Sequence, residues 1–335
     1  MNHAMQTRLL GRSGPRVSAL GLGCMGMSDF YGPADEGESI ATIHAALDAG
    51  ITLLDTGDFY GMGHNELLLR KALQGRNRER VHLSVKFGAM RAPDGQFVGV
   101  DARPQAVKNF LAYTLRRLGT DYVDIYRPAR VDPDVLIEDT VGAIAELVRA
   151  GYVRHVGLSE AGADTVRRAH AEHPIADLQI EYSVLERGIE RSILPACREL
   201  GVGISAYGVL SRGLLSGHWT PERSTRSQDY RAAMPRFSGD NLARNLALVE
   251  ALREIAADKG VSVAQLAIAW VLARGEHIVP LVGARRRGRL EEALGALDVT
   301  LGEADAERIA RAVPFGAAAG ERYPAAQMAM LDSER

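Results

Sequence analysis

The stretch Val107–Tyr126, VKNFLAYTLRRLGTDYVDIY, holds a helix and a strand joined by one glycine. Val107, Leu111, Leu115 and Leu118 recur at helical spacing and form one apolar face. Gly119 stands where a helix C-cap takes a positive φ, and Tyr122–Tyr126 is a short apolar run of strand type. The pattern repeats at once: Val141, Ile144 and Val148, then Gly151, then a run over 152–157. Upstream, Ile40, Ile43 and Leu47 lead to Gly50 and a run over 51–55; downstream, 193–200 leads to Gly201 and a run over 202–205. Helices alternating with short strands require crossover connections and so a parallel sheet. Strands are expected near 20–24, 51–55, 81–86, 122–126, 153–158, 177–181, 202–206 and 278–282. Eight βα units in a chain of 335 residues favour a closed (β/α)8 barrel, the TIM-barrel form, over an open doubly wound sheet.

Three parts fall outside the repeat. Arg8–Leu20, with turn residues Gly11, Ser13, Gly14 and Pro15, reads as an N-terminal β-hairpin that plugs one barrel mouth. The stretch 208–244, rich in Ser, Arg and Gly, reads as a long functional loop such as a lid. Extra helices are expected at the C-terminal end. The whole chain, 1–335, reads as one domain, with residues 1–5 as a disordered extension. The net charge of −2 gives no case for nucleic acid as a partner, and 24% charged with 46% hydrophobic residues is an ordinary globular balance. Cys24 and Cys197 alone make no disulfide framework, so a reducing, cytoplasmic setting is expected. The longest apolar run, 263–273, is too short to span a bilayer, and no membrane association is expected. Oligomeric state stays open.

Barrel enzymes carry their chemistry at the C-terminal strand ends. Those ends hold Asp55 with Tyr60 just beyond it, Lys86, Arg130, Ser159, Gln179, Tyr207 and the run 283–289. Ionisable groups ending apolar strands are costly to desolvate unless paired. A carbonyl that receives hydride must also receive a proton, and a phenol is a sluggish acid unless a cation makes it more acidic. Lys86 is placed to be that cation, Asp55 to balance and orient it, and Tyr60 to be the general acid.

The segment Asp55-Thr-Gly-Asp-Phe-Tyr60-Gly-Met-Gly-His-Asn-Glu66 and the strand Val81-His-Leu-Ser-Val-Lys86 resemble the catalytic segments of the aldo-keto reductase family. Leu10-Gly-Arg-Ser-Gly, Gly21-Leu-Gly-Cys-Met25, Val156-Gly-Leu-Ser159, Gln179-Ile-Glu-Tyr-Ser183 and Ala206-Tyr207-Gly-Val-Leu-Ser-Arg-Gly-Leu-Leu extend the resemblance, in order, over the chain. It implies Tyr60 as proton donor tuned by Lys86 and Asp55. Ser159 and Gln179 would hold the nicotinamide carboxamide and Tyr207 would stack on the ring. Met25, Arg212 and Gly283 would complete the cofactor site, Arg285 and Arg289 would neutralise a 2′-phosphate, and Glu292 would lie near the adenine. The expected cofactor is therefore NADPH (NADP+), the substrate a small aldehyde or ketone, and no metal is expected. Three positions depart from the family pattern: Ala129 where His often follows the fourth strand, in Tyr126-Arg-Pro-Ala129-Arg130; Glu160 where Asn contacts the carboxamide; and Ala293 where Asn often contacts adenine.

Simpler readings stand beside these. Gly21-Leu-Gly23-Cys-Met-Gly26 satisfies GxGxxG but opens no helix, so a barrel strand is the better account. Asp55 and Lys86 alone would also make a structural ion pair, Tyr207 a packing aromatic, Ser159 and Gln179 partners for buried backbone, and the Arg285–Arg289 run a solvated face. His64 and His155 read as structural and Asp58 as a local cap. Two further functions remain open: a cofactor-binding redox sensor with poor turnover, and a barrel lyase or isomerase that needs no nicotinamide.

Overall fold

In the computed structural model, which describes residues 5–220 and 229–335, every strand of the central sheet is parallel and the sheet closes on itself. Its strands are β1 (Gly21–Gly23), β2 (Leu53–Gly57), β3 (His82–Phe87), β4 (Val123–Pro128), β5 (Val153–Ser159), β6 (Ile175–Glu181), β7 (Gly203–Tyr207) and β8 (Ile278–Gly283), each paired with the next and β8 with β1. This is the (β/α)8 barrel. The helix Pro104–Leu118 ends as its glycine dictates, Gly119 taking φ +68 and donating its N–H to the Leu115 carbonyl.

Most of the core lies between strands and helices, with Leu54, Val85, Tyr126, Val156 and Leu178 packed on the helical layer. A second, smaller cluster fills the barrel floor: Leu53, Ile125, Val279 and Leu281 meet Leu10 and Val17 from the N-terminal hairpin. That hairpin pairs Thr7–Leu9 with Arg16–Ser18 and is fastened by Arg8, which donates to the carbonyls of Leu272, Gly275 and Ile278. It closes the end of the barrel opposite the C-terminal strand ends.

Residues Met1–Ala4 of the expected extension lie outside the described residues, while Met5 packs on the core. The stretch 208–244 corrects the expectation of one long loop: it contains short turns at Ser211–Ser216, Tyr230–Ala233 and Pro235–Phe237, and a 20-residue helix, Gly239–Asp258, starts inside it. The lid reading of 221–228 lies outside the described residues. A hairpin of Ala89–Arg91 and Phe97–Val100 follows β3. After β8 come the helices Arg287–Leu294, Glu303–Ala312 and Ala325–Met328. Among the described residues no single helix is long and apolar enough to cross a membrane.

Candidate active site

Strand register brings the site together. Asp55 on β2 is opposite Ser84 on β3, and Gln179 on β6 is opposite both Ser159 on β5 and Ser205 on β7. Alternate residues point inward, so Asp55, Lys86, Ser159, Gln179 and Tyr207 share the mouth. Lys86 Nζ donates to Asp55 Oδ1 at 2.5 Å, and Asp55 Oδ2 accepts from Ser84 Oγ (2.9 Å) and from Gln179 Nε2 (2.7 Å). Burial lowers the Lys86 pKa, and Asp55 opposes that fall. Ser159 Oγ is buried with no hydrogen-bond partner, and Gln179 Oε1 makes no bond among the described residues.

Tyr60 sits in a turn held from behind. Asn65 takes a hydrogen bond from Thr56 and donates to Cys24 O and Ser28 Oγ, while Asp29 accepts from the Gly61 N–H and from Arg91. The rings of Phe59 and Phe30 stand edge-on to the Tyr60 ring. Lys86 Nζ lies 5.1 Å from the centre of that ring, and no hydrogen bond joins the two side chains. Burial, then the Asp55 carboxylate, push the Tyr60 phenol well above its ordinary range, and Arg130 is the cation that pulls it down.

A layer of charge that the sequence reading missed lies beneath. Arg127 and Asp177 are both fully buried and joined at 2.9 Å; Ser205 Oγ donates to the same Asp177 oxygen, and Arg127 Nη2 donates to Ser84 Oγ (2.9 Å). Ser84 therefore links this pair to Asp55. Gly157 makes room for it, since a Cβ there would stand 2.8 Å from Asp177 Oδ1 and 3.2 Å from Arg127 Cζ.

The departure at Glu160 has a structural answer. Its backbone takes φ +53, a region Asn tolerates better than Glu. Its carboxylate is filled by Tyr207 Oη (2.6 Å), Arg322 (2.6 and 3.0 Å) and Ser333 Oγ (2.7 Å). Burial would raise its pKa, but Arg322 above all holds it well below the carboxylate range. The segment carrying Arg322, Tyr323 and Ser333 is thus part of the site wall, with Tyr323 hydroxyl 2.9 Å from that of Tyr207. Arg212, expected at the cofactor, pairs with Glu181 through two bonds of 3.0 and 2.8 Å, in a turn where Ser211 and Arg212 both have positive φ. Neither Glu181 nor Arg322 was given a role from the sequence.

Beyond the end of β8, Arg285 is half-buried and donates to the carbonyls of Tyr31, Gly32 and Pro33. Arg289 is exposed and pairs with Glu292 at 2.9 Å and with His218. Arg287 pairs with Glu38. Met25 opens a short turn after β1, and Gly283 ends β8, exposed at the same mouth. No group of His, Cys, Asp or Glu among the described residues could hold a metal.

Asp58 is not a simple cap. It is 8% exposed, neither carboxylate oxygen has a hydrogen bond of good geometry, and burial, then the nearby Glu66, push its pKa from 3.8 up to about 7. A folded pKa above the unfolded one means that the folded state holds the proton more tightly. That stability is complete below pH 3.8 and is lost as pH rises to about 7. Asp58→Asn stays neutral, so its advantage over wild type should grow across this window to an upper bound of about 4 kcal/mol. Urea unfolding of both proteins at several pH values between about 4 and 8 checks it; a constant difference across the series contradicts the titration.

A family model described as the aldo/keto reductase family matches residues 19–314. The chain is 44% identical over 317 residues to a protein from Glycine max named probable aldo-keto reductase 1, covering 94% of this chain and 90% of that one. Among solved structures it is similar to the glycerol dehydrogenase AKR11B4 from Gluconobacter oxydans, with TM-score 0.83, 27% identity and coverage of 93% and 97%. It is also similar to the holo form of aldo-keto reductase AKR11C1 from Bacillus halodurans, with TM-score 0.77, 29% identity and coverage of 92% and 97%.

Proposed function

Because the chain belongs to the aldo/keto reductase family, we propose that it reduces aldehydes or ketones to alcohols with NADPH, Tyr60 donating the proton. Membership brings oxidoreductase chemistry on carbonyl groups and a nicotinamide cofactor. The choice of NADPH and the role of Tyr60 rest on this chain's own residues. The observation that carries the reading is the buried Lys86–Asp55 pair against the Tyr60 ring, beside a Ser159 hydroxyl that has no partner among the described residues.

A buried hydroxyl without a partner is uncommon in a folded protein, and a carboxamide would satisfy it. Ser159 Oγ and Gln179 Oε1 would bind that group, and Tyr207, fixed through its hydroxyl to Glu160, would present its ring to the nicotinamide. When bound, the cofactor supplies hydride to one face of the carbonyl carbon. The Tyr60 hydroxyl would donate to the carbonyl oxygen, and Lys86 and Arg130 would stabilise the phenolate left behind. At the other end Arg285 and Arg289 would take a 2′-phosphate, exchanging their present partners for charge-assisted bonds. Glu292, now paired with Arg289, would be the carboxylate that holds this arginine in place.

Titration of intrinsic fluorescence with NADPH and with NADH, followed by turnover on a carbonyl panel, tests the reading. NADPH should bind roughly tenfold or more tightly than NADH, the difference that one charged hydrogen bond supplies. Equal affinities would remove the roles of Arg285 and Arg289. Absence of binding by either nucleotide would remove the reductase reading.

A further inference from the structure

Interior arginines in this chain are matched. Arg127 pairs with Asp177, Arg212 with Glu181, Arg231 with Asp229, Arg236 with Glu186 and Arg322 with Glu160, all within 3.0 Å. Arg130 differs. It is half-buried at the rim of the site, just after β4, and no carboxylate of the described residues lies within salt-bridge distance. Its one hydrogen bond runs from Nη1 to the carbonyl of the adjacent Ala129, at 2.6 Å. A guanidinium has five N–H donors, so four remain without an acceptor among the described residues.

The charge faces the reaction space. Its guanidinium carbon is 5.9 Å from the centre of the Tyr323 ring, and Tyr323 touches Tyr207. Its field reaches Tyr60 and Lys86. Lys86 and Arg212 each have a carboxylate of their own and Arg322 meets Glu160, Glu181 and Glu334; the Glu160 charge reaches Arg130 through space, but no carboxylate of the described residues accepts from the Arg130 N–H groups, which are left for a ligand to match. Ala129, 2% exposed, contributes no polar side-chain atom beside it.

We propose that Arg130 receives a carboxylate carried by the substrate, so that the preferred carbonyl compounds are oxo acids and not neutral aldehydes. The inference rests on the reductase reading above and names the substrate class of that site. A planar carboxylate matches the guanidinium fork with two parallel hydrogen bonds, which a neutral carbonyl or hydroxyl cannot do.

The test compares kcat/KM for oxo acids of increasing chain length, from glyoxylate upward, each against its methyl ester. Wild type, Arg130→Met and Arg130→Lys are measured, with NADPH affinity alongside. Wild type should favour at least one acid over its ester by about tenfold or more, the scale of a charged bidentate contact. Arg130→Met should bring the acid-to-ester ratio to about one, chiefly by raising KM for the acid, over and above any kcat loss that acid and ester share when a cation acting on Tyr60 is removed, with NADPH affinity within about threefold of wild type; Arg130→Lys should restore part of the preference. If wild type reduces esters and acids alike, or if Arg130→Met slows both equally, Arg130 serves the reacting carbonyl or the scaffold and the inference is overturned alone. Wild-type protein that binds NADPH but reduces neither set would remove the reductase reading, and this inference with it.

Discussion

Tyr60→Phe is expected to lower carbonyl turnover by about 10²- to 10⁴-fold, the range that a positioned general acid contributes. NADPH affinity should stay within about threefold, because the change deletes one oxygen and keeps the ring. That ring is held by Phe30 and Phe59 in edge-on contact, and Phe at the same position preserves both packings. The Tyr60 hydroxyl has no hydrogen-bond partner among the described residues, so its removal leaves no buried group unsatisfied and the fold should be unaffected. A loss of turnover with unchanged nucleotide binding and unchanged melting therefore reports chemistry. If turnover falls less than about fivefold, the proton comes from elsewhere, and the assignment of Tyr60 is wrong.

Asp177→Ala should destabilise the protein by about 3–5 kcal/mol, the cost of leaving one partner of a buried ion pair uncompensated. Arg127 has no exposed surface, and its remaining contacts, Ser84 Oγ and a long bond to Leu158 O, carry no negative charge. Space argues the same way: Gly157 allows this pair to sit against β5, and water would have to enter that narrow gap to hydrate the guanidinium. Replacing both partners, Arg127→Met with Asp177→Leu, should cost less than Asp177→Ala alone. Chemical unfolding of the three proteins decides it. A double replacement as costly as the single would mean that packing, and not stranded charge, governs the floor of the site.

The barrel was legible because helix stripes, glycine caps and apolar runs agree locally, as at Leu118-Gly119 and Leu200-Gly201. Asp55 and Lys86 were legible because a charge ending an apolar strand needs a reason. Arg127 was hidden for the opposite cause: it lies inside the strand it belongs to, and its partner Asp177 is 50 residues away. Glu160 was noticed as a departure, yet the sequence held no sign that Arg322, 162 residues further on, would claim its carboxylate. The helix beginning at Gly239 was masked by polar residues, Gly-Asp-Asn-Leu-Ala-Arg-Asn, that also suit a loop. The pair Arg212–Glu181 shows how a motif can give a residue's place without its partner: the turn after β7 was recognised, and the contact was not.

The dependence of Glu160 on Arg322 has a consequence for the order of events during synthesis. At ribosomal speeds of about 5–20 residues per second, the arginine follows the glutamate by roughly 8–30 s. A carboxylate placed in the barrel mouth during that delay would have only the field of Arg130 and no hydrogen-bonded counter-charge, so the nascent chain must keep it hydrated. The strands can pair earlier, but the wall beside Tyr207 becomes stable only when the segment bearing Arg322 and Ser333 has emerged and docked. Completion of the Tyr207 side of the site is thus a late event in the life of the molecule.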